Sequence, residues 1–385
     1  MPAYLDHAAT TPMHPEALDT FVAVERDQYA NPSGAHLLAR AARRVLEDAR
    51  ETMAEVLGCA PREVVFTAGG TEADNLAVRG VHEARGGVAV TVAHEHHAVL
   101  HPVERLGGRV VGATSRGIVD LDALRAALDP SVTFVSVMLA NNESGVVQPL
   151  DEVASIVRGV APHAVVHTDA VQAFSWLDPV THARDAHLVS ISAHKFGGPK
   201  GVGALVVRDG VTITPLFLGG GQEHDLRSGT QNVAGIAAMA VAARLTAEQR
   251  NTTVARVGAL RDRLADGLRS AIAGTYETGV GFSDDVADRS HKVAGSCHLC
   301  FDDVESEALL FLLERAGVYA SAGSSCASGA QDPSHVLAAM GVPRRLAQGS
   351  VRLSLGWASS DADVDLALEA VPAAVAQLRR FAVRT

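Results

Sequence analysis

Lysine is rare in this sequence, and two of its three lysines fall within one short stretch. Lys195 and Lys200 lie in SAHKFGGPKG (192–201), and the third is Lys292. The other 30 of the 33 basic residues are arginines. A lysine in a pocket at a strand end can form a Schiff base with a carbonyl group. Because Lys195 follows the apolar segment 186–192, we interpret it as an attachment point for a carbonyl-bearing ligand rather than as a surface lysine.

Other polar residues also follow apolar segments that have the length of buried strands. Gly70 and Thr71 come after the segment 63–67, and Asp169 closes the segment 164–170. Strands of this kind alternate with helical segments, which predicts an α/β fold with a mostly parallel central sheet and helices on both faces. Ligands of such sheets bind at the carboxyl ends of the strands. We therefore expect these polar residues to meet at one edge of the sheet.

The pattern changes near residue 253, where a long charged helical segment begins. We predict a large domain over 13–253 and a smaller C-terminal α+β domain over 254–385, with residues 1–12 packing on the smaller one. The segments that indicate this second domain are a helix at 254–272, a strand at 292–301, a helix at 305–316, a strand at 351–356 and a final helix at 361–380.

Charge and composition exclude several classes of function. The net charge is −11, which argues against direct binding to nucleic acid or to an anionic membrane. The N-terminus shows no signal peptide, and the longest apolar run, 233–243, is too short to span a bilayer. Four cysteines in 385 residues do not make a disulfide scaffold. We expect a cytoplasmic protein.

The residues at the strand ends match the needs of pyridoxal phosphate (PLP). This cofactor requires a lysine for its aldehyde, an acid for its pyridinium nitrogen and hydrogen-bond donors for its phosphate. Lys195 and Asp169 supply the first two. The turn TAGGTEADN (67–75) combines a strand end with a helix N-terminus, which is an anion site.

Ten motifs, spread from residue 3 to about 380 in family order, resemble those of the cysteine desulfurases, which are class-V aminotransferases of PLP fold type I. The motifs are YLDHAATTP (4–12), NPSGAH (31–36), FTAGGTEADNLA (66–77), EHHAV (95–99), NNESGVVQP (141–149), HTDAVQ (167–172), SAHKFGGPKGVGAL (192–205), GGGQEHDLRSGT (219–230), GSSCASG (323–329) and GSVRLSLG (349–356).

The resemblance implies a role for each matching residue. Lys195 holds PLP covalently, His96 stacks on the ring and moves protons, and Cys326 is the sulfur acceptor. Asn31 and Arg352 match positions that hold the substrate carboxylate. The cofactor-binding positions are Gly70, Thr71, His96, Asn142, Asp169, Gln172, Ser192, His194, Lys195 and Thr230, the last contributed by the other subunit of a dimer.

The implied reaction is the PLP-dependent removal of sulfur from L-cysteine, which gives L-alanine and a persulfide on Cys326. The implied partners are a second copy of the chain, with shared active sites, and a sulfur acceptor such as an iron–sulfur scaffold protein. Alternatives on the same fold are a selenocysteine or cysteine sulfinate lyase and an aminotransferase. A catalytically idle sulfur carrier is a further alternative.

Some residues in these motifs have other interpretations. Glu95, His97 and His101 in HEHHAVLH resemble a metal site, although we expect no metal. Cys297 and Cys300 form a CxxC pair, but residues three apart in a strand point to opposite faces, so we expect them to fill the core. We expect Cys59 to be structural. Arg227 is a candidate interface residue. Asp6, His7, Thr10 and Thr11 belong to the N-terminal motif without an assigned role.

Overall fold

The computed structural model describes residues 2–280, 287–323 and 334–382, with side chains up to residue 380. The sulfur acceptor predicted at Cys326 lies outside the described residues. The other residues that the sequence singled out lie within them.

A seven-stranded sheet forms the centre of the N-terminal part of the chain. Its order is β2-β8-β7-β6-β5-β3-β4, and its strands are parallel except for β8, which is antiparallel to both of its neighbours. The strands of the described chain are β1 (Ala3–Tyr4), β2 (Val64–Thr67), β3 (Val88–Val92), β4 (Arg109–Val111), β5 (Val132–Ser136), β6 (Val165–Asp169), β7 (Leu188–Ser192), β8 (Gly203–Val207), β9 (Thr275–Glu277), β10 (Ser296–Phe301), β11 (Val318–Tyr319) and β12 (Ser350–Ser354).

Helices cover both faces of this sheet. Helices α3 and α4 pack on one face, and α1, α2, α5, α6 and the first half of α8 pack on the other. The helices are α1 (Pro15–Asp27), α2 (Leu37–Leu57), α3 (Gly70–Arg85), α4 (His97–Arg105), α5 (Leu121–Ala127), α6 (Leu150–Val160), α7 (Pro179–His182), α8 (Val233–Ala271), α9 (Ser306–Arg315), α10 (His335–Ala339), α11 (Arg344–Ala347) and α12 (Asp361–Ala382). The fold class predicted from the sequence is confirmed.

Local sequence explains why the elements begin and end where they do. The buried positions of α2 recur every three or four residues, from Ala39 through Leu46 and Met53 to Leu57, so one face of the helix meets the core. The helix ends where Gly58 takes a left-handed conformation with φ 61°, which a residue with a side chain rarely adopts. The central strands β6 and β7 are buried at every position, as expected for strands covered by helices on both faces.

The C-terminal part has its own small antiparallel sheet, in the order β12-β10-β9. The N-terminal strand β1 pairs with β11, and Leu5 belongs to the apolar core of this part. The boundary that the sequence predicts between residues 253 and 254 falls inside α8, which extends from the core of the large sheet into that of the small one. The division into domains stays a prediction. Among the described helices, none combines the length and the apolar character needed to cross a membrane.

Candidate active site

A cleft of about 1030 Å³ opens at the carboxyl ends of the central strands. Strands β6 and β7 end there at Asp169 and Ser192, and the N-terminus of α3 begins there at Gly70. Arg352 of β12, in the C-terminal part of the chain, lines the other side. The cleft thus gathers residues that are widely separated in the sequence, as expected for a ligand site of an open α/β sheet.

Lys195 lies one short turn beyond the end of β7 and extends into this cleft. Its Nζ donates hydrogen bonds to the backbone oxygens of Ala8 (2.5 Å) and Ala9 (3.0 Å) in the N-terminal motif. Gln172 Nε2 donates to the same Ala8 oxygen at 2.7 Å. The N-terminal segment is therefore a wall of the site, and its carbonyl groups hold the lysine amine.

Asp169 is the buried acid of the cleft. Burial raises the pKa of its carboxyl group to about 6, although the Val171 amide, which donates to Oδ1 at 2.8 Å, and the charge of Lys195 both oppose that rise. Asp74 lies beside it, and burial together with the charge of Asp169 raises its pKa as well. A protonated pyridine nitrogen would offset the cost of ionising an acid in this position.

The opposite end of the cleft can hold a phosphate. Gly70 begins the 16-residue helix α3, whose N-terminal amides and dipole favour an anion. A Cβ on Gly70 would lie 2.8 Å from Val171 Cγ2, so only glycine leaves room there. Thr71, Ser192 and His194 line the same end.

Two buried oxygen atoms in the cleft lack a hydrogen-bond donor. Among the described residues, Asp74 Oδ1 and Asn142 Oδ1 are buried and accept no hydrogen bond, and both residues line the cleft. A polar ligand between them would offer the donors that they lack. With the lysine, the acid and the phosphate end at separate points of one cleft, the residues fit PLP.

His96 is held in a defined orientation at the start of α4. Its Nδ1 accepts a hydrogen bond from the Ala98 amide at 3.2 Å, as an N-cap. Burial, with the charge of Lys195, lowers the pKa of the ring to about 4. A neutral ring that accepts at Nδ1 has its proton on Nε2, which leaves a donor available to the cleft.

Arg352 is buried against two partners. Its Nη2 donates to Asp6 Oδ1 at 2.9 Å and its Nη1 to the backbone oxygen of Asn142 at 3.0 Å. A guanidinium group in a cleft is suited to a carboxylate, because its planar donors match the two oxygens. This placement makes Arg352 the candidate that binds an amino-acid carboxylate.

Not every predicted residue reaches the cleft. Asn31 is exposed, its Oδ1 accepts from the Ser33 amide, and it does not line the cleft with Arg352. Thr230 is exposed and lines a separate cavity beside Arg227, so its role across a subunit interface stays a prediction. Arg227 itself pairs with Glu72 of α3 at 2.8 Å.

Sequence reasoning missed a chain of buried polar side chains behind the cleft. Ser136 Oγ donates to Glu95 Oε1 at 3.2 Å and contacts His167 Nδ1 at 2.8 Å. His167 Nε2 in turn contacts Ser190 Oγ at 2.9 Å and lies 3.6 Å from Asp74 Oδ1. Alternation along β5, β6 and β7 could have signalled these side chains, because polar residues interrupt apolar strands there.

Lys200 lies beside the end of the cleft that Gly70 and Ser192 line. It lines a shallow cavity together with Gly69, Gly70 and Ser192, at the N-terminus of α3. A second cavity, also lined by Lys195, lies between Phe196 and residues of the C-terminal part such as Ser296 and Trp357.

The alternative metal site at 94–101 is not assembled in the described part of the chain. Glu95 is fully buried, while His97 and His101 stack on each other with ring centroids 4.5 Å apart. The donors that do approach one another, within 4.8 Å, belong to Asp74, His96 and Asp169. The resemblance assigns two of these, His96 and Asp169, to the cofactor.

The described cysteines are buried or partly buried, and all three are free thiols. Cys297 packs in the core between the small sheet and its helices, and Cys300 packs with Tyr276 and Val336 on the other face of β10. Burial raises the pKa of both thiols to about 12, and that of Cys59 to about 11. The prediction that the CxxC pair fills the core on opposite faces is confirmed.

Comparisons with known proteins show the family to which this chain belongs. The family model described as aminotransferase class-V matches residues 3–367. An IscS-like cysteine desulfurase of Mycobacterium tuberculosis is 46% identical over 395 aligned residues, which cover 99% of this chain and 98% of the relative.

Solved structures show the same fold. A NifS-like protein is 35% identical with a TM-score of 0.89, over 98% of this chain and 100% of that one. The structure of SspA in complex with cysteine is 29% identical with a TM-score of 0.77, over 92% and 98% of the two chains. This chain therefore belongs to the class-V aminotransferase family of PLP-dependent enzymes, and within that family it belongs with the cysteine desulfurases.

Proposed function

We propose that this enzyme removes the sulfur of L-cysteine, releases L-alanine and retains the sulfur as a persulfide on Cys326. The observation that carries the proposal is the meeting of Lys195, Asp169 and Arg352 in one cleft. These three side chains give an attachment point, a charge partner for the ring nitrogen and a binding group for the substrate carboxylate. Bound PLP supplies the electron sink for charge that develops at the substrate Cα.

The residues of the chain have separate tasks in this reaction. Arg352 binds the substrate carboxylate and orients the Cα–H bond towards Lys195. Lys195 Nζ takes the Cα proton, and the Ala8 and Ala9 oxygens stabilise the ammonium group that results. His96 Nε2–H faces the same space as a proton donor.

Sulfur transfer needs a thiolate. The Cys326 thiolate attacks the substrate sulfur, the C–S bond breaks, and the electron pair left on the substrate carbon takes a proton to give alanine. Cys59, Cys297 and Cys300 are unsuited to this task, because burial raises the pKa of each thiol to about 11 or 12 and the thiol form is a poor nucleophile. This contrast supports Cys326 as the acceptor.

The proposed working form is a homodimer with shared active sites. Large apolar side chains are exposed on α1 and at the start of α2, including Val22 (52%) and Leu37 (66%), and Leu218 is 86% exposed in the segment that leads to Thr230. Exposed apolar groups of this kind mark protein–protein contacts when they form a patch. The sulfur then passes to an acceptor protein, such as an iron–sulfur scaffold, in the cytoplasm.

The test of the proposal is the variant Cys326→Ser, with Cys59→Ser as the matched control. Cys326→Ser should take up PLP normally and change its absorbance when cysteine is added, yet form sulfide and alanine at least about a hundredfold more slowly, since a hydroxyl is a poor sulfur acceptor. Cys59→Ser should retain wild-type rates. Mass spectrometry of the cysteine-treated wild type should find the extra sulfur on Cys326. A near wild-type rate for Cys326→Ser would instead indicate a direct-elimination lyase.

A further inference from the structure

The N-terminal motif places an acid, Asp6, against Arg352 of the cleft, and the proposed reaction gives this acid no task. Asp6 Oδ1 accepts a hydrogen bond from Arg352 Nη2 at 2.9 Å, and the two residues are 346 positions apart in the chain. Arg352 is the guanidinium group proposed to hold the substrate carboxylate. The protein therefore already places one carboxylate on the arginine that a second carboxylate has to reach.

Asp6 is held in this place by its backbone. The His7 amide donates to the Ser354 oxygen at 3.2 Å, and the Ser354 amide donates to the Leu5 oxygen at 2.7 Å. The Ala8 amide donates to Ser354 Oγ at 2.9 Å. These bonds attach residues 5–8 along the edge of β12, two residues from Arg352. The pair is thus a fixed part of the site and not a chance meeting of two surface side chains.

The exposure of the two side chains determines how strongly the Asp6 charge weakens the attraction of Arg352 for an anion. The Arg352 side chain is 3% exposed, whereas that of Asp6 is 23% exposed. A partly exposed charge is screened by water but still acts over a few ångströms. The Asp6 charge therefore lowers the attraction of Arg352 for an incoming anion without abolishing it.

We propose that Asp6 is a specificity-determining residue, which shares Arg352 with the substrate carboxylate and selects amino acids whose side chain has no negative charge. This inference rests on the proposed function, in which Arg352 binds the carboxylate. Asp6 repels the carboxylate of every amino acid, which favours release of the alanine product. It repels a second acidic group in addition, so that a side-chain sulfinate or carboxylate binds less well than a thiol.

The same segment also meets the other cation of the site. The Ala9 amide donates to the backbone oxygen of Asp6 at 3.0 Å. The backbone oxygens of Ala8 and Ala9 in turn accept hydrogen bonds from Lys195 Nζ. One turn of the chain therefore contacts both the arginine and the lysine. This explains why an acid at this position acts on substrate binding without belonging to the cofactor pocket.

The experiment measures dissociation constants of two amino acids that cannot be desulfurated, L-alanine and L-aspartate, from the change in PLP absorbance of the holoenzyme. Asp6→Asn keeps the hydrogen-bond acceptor and removes the charge. We expect the Kd of L-alanine to fall by roughly tenfold, the change for one screened charge interaction, and that of L-aspartate to fall by more. Asp6→Glu should restore the wild-type ratio of the two constants.

Two controls separate the possible causes of failure. Asp19→Asn, an exposed acid of α1, should leave both constants unchanged, and Asp6→Ser is a second uncharged variant should Asp6→Asn not fold. Arg352→Gln should weaken both ligands. If it does not, the assignment of Arg352 is wrong and the inference fails with it. A different result is that Arg352→Gln weakens binding as expected while Asp6→Asn also weakens it, or changes the Kd of L-alanine and that of L-aspartate by the same factor. In either case Asp6 only orients the arginine, and the inference alone is overturned.

Discussion

Replacing Glu95 by glutamine should make the apoprotein more stable at pH 8 but leave its stability nearly unchanged below pH 4.5. Glu95 is fully buried on the turn after β3, and its Oε1 accepts a hydrogen bond from Ser136. Burial, and to a lesser extent the charge of Asp169, raises the pKa of its carboxyl group from 4.5 to about 8. Near pH 7 the folded apoprotein thus has a protonated acid at this position, which glutamine imitates in shape and in hydrogen bonding.

The magnitude follows from the difference between the folded and unfolded pKa values. Below pH 4.5 Glu95 is protonated in both the folded and the unfolded state, so its ionisation does not change the free energy of unfolding. As the pH rises from 4.5 to 8, the unfolded chain releases the proton while the folded protein retains it, and the wild type loses stability. The total is roughly 4–5 kcal/mol at pH 8, and glutamine, which does not titrate, avoids this loss.

Urea unfolding of the apoprotein at pH 5, 6.5 and 8 measures the effect, with the exposed Glu83→Gln variant of α3 as the control. The difference between Glu95→Gln and wild type should grow with pH by about 1.4 kcal/mol per pH unit at most, while the control shows no trend. A constant difference across the range, of either sign, would mean that Glu95 is ionised in the folded protein. The raised pKa assigned to the buried Glu95 carboxyl group would then be wrong.

Three further substitutions test other parts of the structure. Asp169→Asn should lose PLP on dialysis faster than wild type, by at least about tenfold, because the ring nitrogen loses its charge partner; absorbance of the retained cofactor measures this. Glu223→Gln should lower the free energy of unfolding by about 3 kcal/mol, because the buried guanidinium of Arg50, now 2.8 Å from the Glu223 carboxylate, would keep only the half-exposed Glu47 as its counter-charge. Gly323→Ala should retain PLP but lose most sulfide release, because its Cβ would lie 2.6 Å from Glu143 Oε2 at the start of the segment with the proposed sulfur acceptor; wild-type turnover would contradict this.

The same carboxylate lies next to the described residues on both sides of the segment that contains the proposed acceptor. Glu143 Oε2 also accepts from Ser334 Oγ at 2.5 Å, and Ser334 is the first described residue after the segment that begins beyond Gly323. Ser334→Ala is therefore the matched partner of Gly323→Ala. Ser334→Ala removes the hydrogen bond from Ser334 Oγ to Glu143, whereas Gly323→Ala adds a methyl group next to Glu143.

The sequence by itself determined the elements and the residues that follow them. Buried strands are recognisable as short apolar runs, and a helix such as α2 ends at a glycine. These local patterns place Gly70, Asp169 and Lys195 just after predicted strands. The rule that ligands bind at the carboxyl ends of parallel strands then brings these residues to one edge. The fold class and the lysine–acid pair were therefore predictable without coordinates.

Only the tertiary structure decided which distant groups meet at that edge. The order β2-β8-β7-β6-β5-β3-β4 is not the order of the chain, so sequence neighbours do not give spatial neighbours. The bonds from Lys195 to the Ala8 and Ala9 oxygens involve backbone carbonyls, which every residue possesses and which leave no signature in the sequence. The pairing of Asp6 with Arg352 depends on the N-terminal segment lying along the edge of β12, where it is bonded to Ser354. Such contacts join residues that are far apart in the sequence, and no local pattern encodes them.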